Sequence, residues 1–345
     1  MILLPLPLVI AANSAVGKSW ANTATSILGG LIAGLTCLLG ALDLVGAPVL
    51  ATGLGPATKV EVDAGTIVTG FAAAAVVSKP VRERLARILP IDSNNPVHAL
   101  ALVLAVILFG TQLTTIAFTD VLAADQSQAP LTLGDILVQE APFLILALAG
   151  VGLFSRRNAA GAMERLGLVI PSWWQVPLAL AAAGLFIGFA QEMDALSHSW
   201  TPQVAHQVDA TTQHLFGGLG GPVGIAVVAL APGICEEILF RGALQPRIGL
   251  VATAFLFTSI HTQYGLSLDA LSVFMIALGL GLIRKYTNTT TSGLCHVTYN
   301  LVTGISLAGA VLGVAVLVEV ALAGLSAYGI WSSRKRRAAA PVSAS

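Results

Sequence analysis

The chain has 345 residues, 56% of them hydrophobic and only 10% charged, with a mean hydropathy of +0.85. A chain this apolar and this poor in charge is a polytopic membrane protein, for which the bilayer is the solvent. Seventeen Lys and Arg balance seventeen Asp and Glu, so no basic field exists to hold a nucleic acid. Cys37, Cys235 and Cys295 form no C-x-x-C pair, which excludes a disulfide framework and a cysteine zinc site.

Residues 1–21 read as a peripheral or re-entrant segment. They are apolar but carry Pro5 and Pro7 and lack the basic start of a cleaved leader. Ala12 to Ser19 resembles a phosphate-binding loop with Ala at the first Gly position. A phosphate cradle needs a preceding strand in a soluble α/β domain, so Lys18 reads instead as an anchor of the first helix. Windows of about 20 apolar residues, the length of a spanning helix, fall near 22–45, 64–79, 96–118, 133–155, 175–191, 221–243, 249–263, 267–283 and 291–331. The last would run about 60 Å as one helix, twice the hydrocarbon thickness, so it is expected to fold back around Gly304 to Gly313. The fold class is therefore an all-α polytopic membrane helical bundle of about ten transmembrane helices, eight at the fewest. In the first of them, Gly30 and Gly34 make a G-x-x-x-G step that reads as a helix-packing face.

Basic residues set the orientation, because short loops rich in them stay in the cytoplasm. Lys79, Arg82, Arg84 and Arg87 follow the second span, and Arg156, Arg157 and Arg165 follow the fourth. Arg247, then Arg284 and Lys285, then Arg334 to Arg337 follow the sixth, eighth and tenth. The intervening loops carry Asp120, Asp125, Glu192, Asp194 and Asp209 and almost no cations. Both termini are thus expected in the cytoplasm of a bacterial plasma membrane. The organisation reads as N-terminal transmembrane helices over 22–191, an external loop over 192–220, a core over 221–331 and a cytoplasmic tail over 332–345.

Isolated polar residues carry little. His98, His198, His206 and His214 read as surface imidazoles, and His206 and His214 have no carboxylate at ligand spacing to make a metal site. Glu140 and Glu319 fall inside apolar runs, where a carboxyl costs about 2.5–3.5 kcal/mol, so each is expected to be paired or protonated. The density is far higher in spans six to nine, where Ala231 to Gly242 (A-P-G-I-C-E-E-I-L-F-R-G), Phe257 to His261 and His296 to Asn300 bring five ionisable side chains into the membrane. Glu237 and Arg241, at i and i+4, make an ion pair. Glu236, about 100° around the helix from Glu237, serves a different point. Glu236, His261 and His296 each lie roughly 13–18 Å from the cytoplasmic ends of their helices, and Asn300 stacks one turn beyond His296. A carboxylate, two imidazoles and an amide at one depth make a hydrolytic site.

The three motifs E-E-x-x-x-R (236–241), F-x-x-x-H (257–261) and H-x-x-x-N (296–300), in this order on successive helices, resemble the CPBP intramembrane proteases. That family includes the CAAX prenyl endopeptidases of the Rce1 type and the bacteriocin-processing Abi proteins. The resemblance covers about 70 of the 345 residues. It implies that Glu236 is the catalytic glutamate and His261 its partner in activating a water. It implies further that His296 and Asn300 stabilise the oxyanion, that Glu237 and Arg241 support the site as an ion pair, and that Phe257 packs beside it. The implied substrate is a peptide or membrane-protein segment, with or without a lipid. A glutamate mechanism without a cofactor is expected over a zinc site built from Glu236, His261 and His296, because zinc would want a further carboxylate as base. Two other classes fit the polar cluster less well: a non-catalytic immunity or scaffold protein on the same fold, and an ion-coupled transporter, which would repeat its polar residues in both halves. No H-E-x-x-H, G-x-G-D or G-x-S-G motif of the other intramembrane proteases occurs.

Overall fold

The computed structural model describes residues 3–47, 49, 55–305 and 312–339, and among these every regular element is a helix, apart from one isolated bridge between Leu153 and Arg157. In chain order they are α1 (Leu6–Ala15), α2 (Ala21–Leu44), α3 (Pro56–Val77), α4 (Lys79–Leu85), α5 (Pro96–Phe118), α6 (Val121–Gln126), α7 (Leu133–Gly150) and α8 (Ala159–Leu166). There follow α9 (Gln175–Trp200), α10 (Pro202–Phe216) and α11 (Pro222–Glu236), which passes without a break through a π-helical stretch, Glu237–Leu244, into α12 (Gln245–Ile248). The rest are α13 (Leu250–Ser259), α14 (Leu268–Tyr286), α15 (Thr289–Ile305) and α16 (Leu312–Ala339). The starts are where local chemistry puts them. Proline opens α3, α5, α10 and α11, where its missing N–H costs nothing, and Thr132 with Asp135 forms a capping box on α7.

Among the described residues, six helices are long and apolar enough to cross a membrane: α2, α3, α5, α7, α9 and the run Pro222–Ile248, while α1 and α13 are apolar but short. Several expected boundaries move. The second span was expected over 64–79, yet α3 starts at Pro56 and carries Lys59 and Asp63 into the bundle. The reason is an ion triad: Lys59 Nζ lies 2.5 Å from Asp43 Oδ2 and 2.9 Å from Asp63 Oδ2, so one cation on α3 is shared by buried carboxylates of both helices. Gly30 and Gly34 do not pack, since a Cβ at either would meet nothing within 4 Å. The close approach of α2 and α3 is at Gly70 instead, where a Cβ would collide with Cys37. The expected seventh span, 249–263, stops at Ser259, and His261 sits in the turn beyond it. Residues 192–220, read as a loop, are mostly helical: α9 continues to Trp200 and α10 follows after Thr201.

The run 291–331 does divide. Residues 306–311, the centre of the expected fold-back, lie outside the described residues, but the helices on either side run in opposite directions along α9. Thr291 touches Gln175, and further along both helices Tyr299 and Phe186 line the same cavity, so α15 is parallel to α9. Glu319 lies against Gly184 and Gly329 against Trp174, so α16 is antiparallel to it. At the other end of the chain α1 packs on α5 and α7, and Asn13 Nδ2 donates to the carbonyls of Val9, Ala149 and Gly150. An amide spent on capping α7 holds no phosphate.

Charge marks one end of the bundle. Arg165 on α8 donates to the Gly242 carbonyl at 3.3 Å, and burial beside Arg157, Arg284 and Arg156 brings its guanidinium down to about 10. With that end in the cytoplasm, Ser345→Cys should label only from inside and Gln203→Cys on α10 only from outside. The reverse pattern in intact cells would invert the map.

Candidate active site

Helix α11 is shaped by two residues that local rules disfavour in a helix. Pro232 cannot donate to the carbonyl of Val228, four residues back. Asn300 Nδ2 on α15 takes that acceptor at 3.4 Å, so the orphaned carbonyl is satisfied from the neighbouring helix. One residue on, Gly233 lets α15 approach so closely that a Cβ there would meet Val297 side chain and backbone at 2.6–3.1 Å. Proline, glycine and asparagine thus dock α11 against α15 directly before the paired glutamates.

After Glu236 the helix widens into the π stretch Glu237–Leu244, the kind of local unwinding that recurs at functional sites. Glu237 is the hub of the polar contacts there. Its Oε1 is 3.0 Å from Arg241 Nη1, both residues being 1% exposed, and 3.2 Å from His296 Nδ1. Arg241 in turn lies over the Phe257 ring at 4.1 Å and donates to the Ala277 carbonyl at 3.3 Å. The Phe257 carbonyl then lies 2.8 Å from His261 Nδ1, with the two rings 4.6 Å apart. This chain of contacts explains the spacings. The i, i+4 step of F-x-x-x-H lets a helix-end histidine hydrogen-bond back to the last turn, and Arg241 ties that turn to the glutamates.

The hydrogen bonds also assign the imidazoles. A carbonyl only accepts, so His261 Nδ1 is the donor and Nε2 of the neutral ring carries a lone pair. His296 Nδ1 faces the Glu237 carboxylate, and its Nε2 lies 3.9 Å from Glu236 Oε2. The two glutamates were expected to face different points, with Glu237 served by Arg241 alone. In the structure both carboxylates reach the same imidazole, one at each ring nitrogen. The physical reason is that α15 crosses beside the glutamates at Gly233 and Gly293, presenting His296 edge-on between them.

Phe257, His261, His296 and Asn300 line one cavity of about 80 Å³, so the second and third motifs share it, and the glutamates adjoin it through His296. The cavity adds residues that no motif marked: Phe186 of α9, Tyr264 after His261, and Tyr299, adjacent to Asn300. Tyr264 stacks with His261 at 6.4 Å between centroids. An aromatic in an apolar run has the sequence signature of core packing, so only the fold reveals these. Glu236 stands behind His296, 5% exposed. Its Oε2 is buried and has no hydrogen-bond partner. Glu140 on α7 lies within electrostatic range of Glu236 and also has a buried oxygen without a partner. Glu319 packs on Gly184, away from this group.

As a zinc set the residues fit poorly. Among the described residues, Glu236, His261 and His296 do not bring one ligand atom each within 4.8 Å of one another, whereas His198, His206 and Asp209 do. The carboxylate that could act as base beside such a metal, Glu237, is engaged by Arg241 and His296.

The docking of Asn300 is open to test. Asn300→Ala should cost roughly 1–3 kcal/mol by leaving the Val228 carbonyl bare. With Pro232→Ala, which restores that carbonyl's own N–H, the cost should shrink. Additive losses of thermal stability in the double variant would show that the two residues are not coupled in this way.

Residues 219–302, about a quarter of the chain, match the family model described as type II CAAX prenyl endopeptidase Rce1-like. The matched segment runs from the residues before α11 to just past Asn300 and contains every residue of the three motifs. No curated protein and no solved structure matches the chain.

Proposed function

We propose, with the Rce1-like character of residues 219–302 as the premise, that the chain is an intramembrane endopeptidase hydrolysing a peptide bond with a water activated by Glu236. The observation that carries this reading is the bare Oε2 of Glu236, buried in the bundle without a donor. A carboxylate so placed costs several kcal/mol unless a water or substrate uses it.

In this reading Glu236 takes a proton from water while the water oxygen attacks the carbonyl carbon, and the free Nε2 of His261 accepts a hydrogen bond from the same water. Asn300 has a second amide N–H beyond the one spent on Val228. His296, held at Nδ1 by the Glu237 carboxylate, donates from Nε2 in the proposed step. These two donors hold the oxyanion. Collapse of the adduct breaks the C–N bond, and the proton on Glu236 passes to the leaving amine, which returns the carboxylate. Arg241 and Phe257 position Glu237 and His261. No step uses a metal.

Glu236 sits midway along the run Pro222–Ile248, so the cut is proposed inside the bundle. The substrate segment must therefore enter the bundle. The test is hydrolysis by the purified full chain in bilayers, with prenylated and unprenylated peptides run in parallel against Glu236→Gln. A cut that depends on Glu236 supports the reading, and the two peptide sets decide whether a lipid is needed. No cut of either set, together with unchanged membrane proteomes of cells carrying active and Glu236→Ala protein, would leave a non-catalytic scaffold on this fold.

A further inference from the structure

The turn from α9 to α10 gathers a second group of polar side chains. The helices meet at a single residue, Thr201, which ends one and starts the other. The elbow folds Asp194 and His198, at i and i+4 on α9, against His206 and Asp209, at i and i+3 on α10. His198 Nε2 lies 3.1 Å from Asp209 Oδ2 and 3.7 Å from Asp194 Oδ1, and the rings of His198 and His206 are 5.3 Å apart. Two ligand atoms about 2.0–2.1 Å from a tetrahedral zinc ion are separated by roughly 3.3 Å. The spacing between His198 and Asp209 is close to that value, and a donor atom from each of His198, His206 and Asp209 fits within 4.8 Å. An ordinary His–Asp ion pair would account for His198 and the aspartates. It gives no reason for a second imidazole packed beside the first.

We propose that Asp194, His198, His206 and Asp209 form a binding site for a zinc-class divalent ion that clamps α10 to the end of α9. Two imidazoles and carboxylates suit a borderline ion of this kind, and histidine with a carboxylate at i, i+3 or i+4 on facing helices is how helical bundles build such sites. The sequence reading found no carboxylate at ligand spacing for His206 and His214, yet Asp209 lies three residues after His206 on one helix; His214 Nε2 lies against the Gln128 carbonyl at 2.8 Å, and the second imidazole beside His206 comes from the preceding helix. The clamp would act close to the catalytic cavity. On α10, Val204 and Val208 pack with Tyr264, three residues beyond His261 and part of the cavity wall.

The site also changes how metal content must be read, since one zinc per chain at this elbow could be mistaken for a catalytic ion. The experiment is equilibrium dialysis of the untagged, purified full chain against zinc, with thermal stability measured in parallel. About one equivalent bound in the micromolar range or tighter, with a raised Tm, is the expected result. Binding should be lost in His206→Gln and Asp209→Asn, whose side chains are exposed and whose folding is not at stake, and kept in His261→Gln and His296→Gln. No saturable uptake would reduce the cluster to an ion pair. Uptake that survives His206→Gln and Asp209→Asn but fails in His261→Gln or His296→Gln would overturn the proposal and move the metal to the active site.

Discussion

Glu236→Gln is expected to reduce peptide hydrolysis by roughly a hundred- to ten-thousandfold while the protein keeps its fold and thermal midpoint. The amide matches the carboxylate in shape but cannot take a proton from water. The structure adds a reason for the fold to survive: Oε2 has no protein donor to lose, and His296 Nε2 is 3.9 Å away. The measurement pairs turnover with thermal unfolding in the same detergent. A variant that unfolds readily, or one that still cleaves at near wild-type rates, would assign Glu236 to structure and not to the base.

Glu237→Gln or Arg241→Ala should instead destabilise the protein by about 3–5 kcal/mol, because each leaves the other's charge unpaired in the interior. Both residues are 1% exposed and joined at 3.0 Å, and each has further dependents. Glu237 holds His296 and Arg241 holds Phe257. The double variant Glu237→Gln/Arg241→Met should recover much of the lost stability, since exchanging both members of a buried pair for uncharged groups is often close to neutral. It should not recover turnover, because His296 would still lack the carboxylate at Nδ1. Single variants as stable as the parent would mean that the pair is not a structural hub. A double variant with full activity would remove Glu237 from the mechanism.

The difference between the two adjacent glutamates was legible in the sequence only as far as helix geometry reaches. The i, i+4 spacing gives the pairing of Glu237 with Arg241, and the helical repeat gives the separation of Glu236. The role of His296 as the bridge between them was not legible. It depends on where α15 crosses α11, which is set by a close approach at Gly233 and Gly293 across about 60 residues of chain. The role of Asn300 is similar. Its amide could be seen as a donor, but that one of its hydrogens goes to Val228 follows only from Pro232 meeting a particular neighbour.

Composition and periodicity were enough for the membrane as solvent, for the helical class and for the apolar windows that six helices among the described residues occupy. These depend on composition, on the length of apolar runs and on spacings within one helix, all local in the chain. The second span shows where local reading ends: the hydropathy window excluded Lys59 and Asp63, which enter the bundle because Lys59 pairs both with Asp63 one turn on and with Asp43 on another helix. The bare oxygen of Glu236, the cavity shared by the F-x-x-x-H and H-x-x-x-N motifs, the opposite runs of α15 and α16, and the elbow that brings His198 to His206 came from the packing of the helices. Each of these is a relation between helices whose contacts are made by small residues and freed carbonyls. Such contacts leave no periodic mark along the chain, because the distance that matters is measured across the bundle.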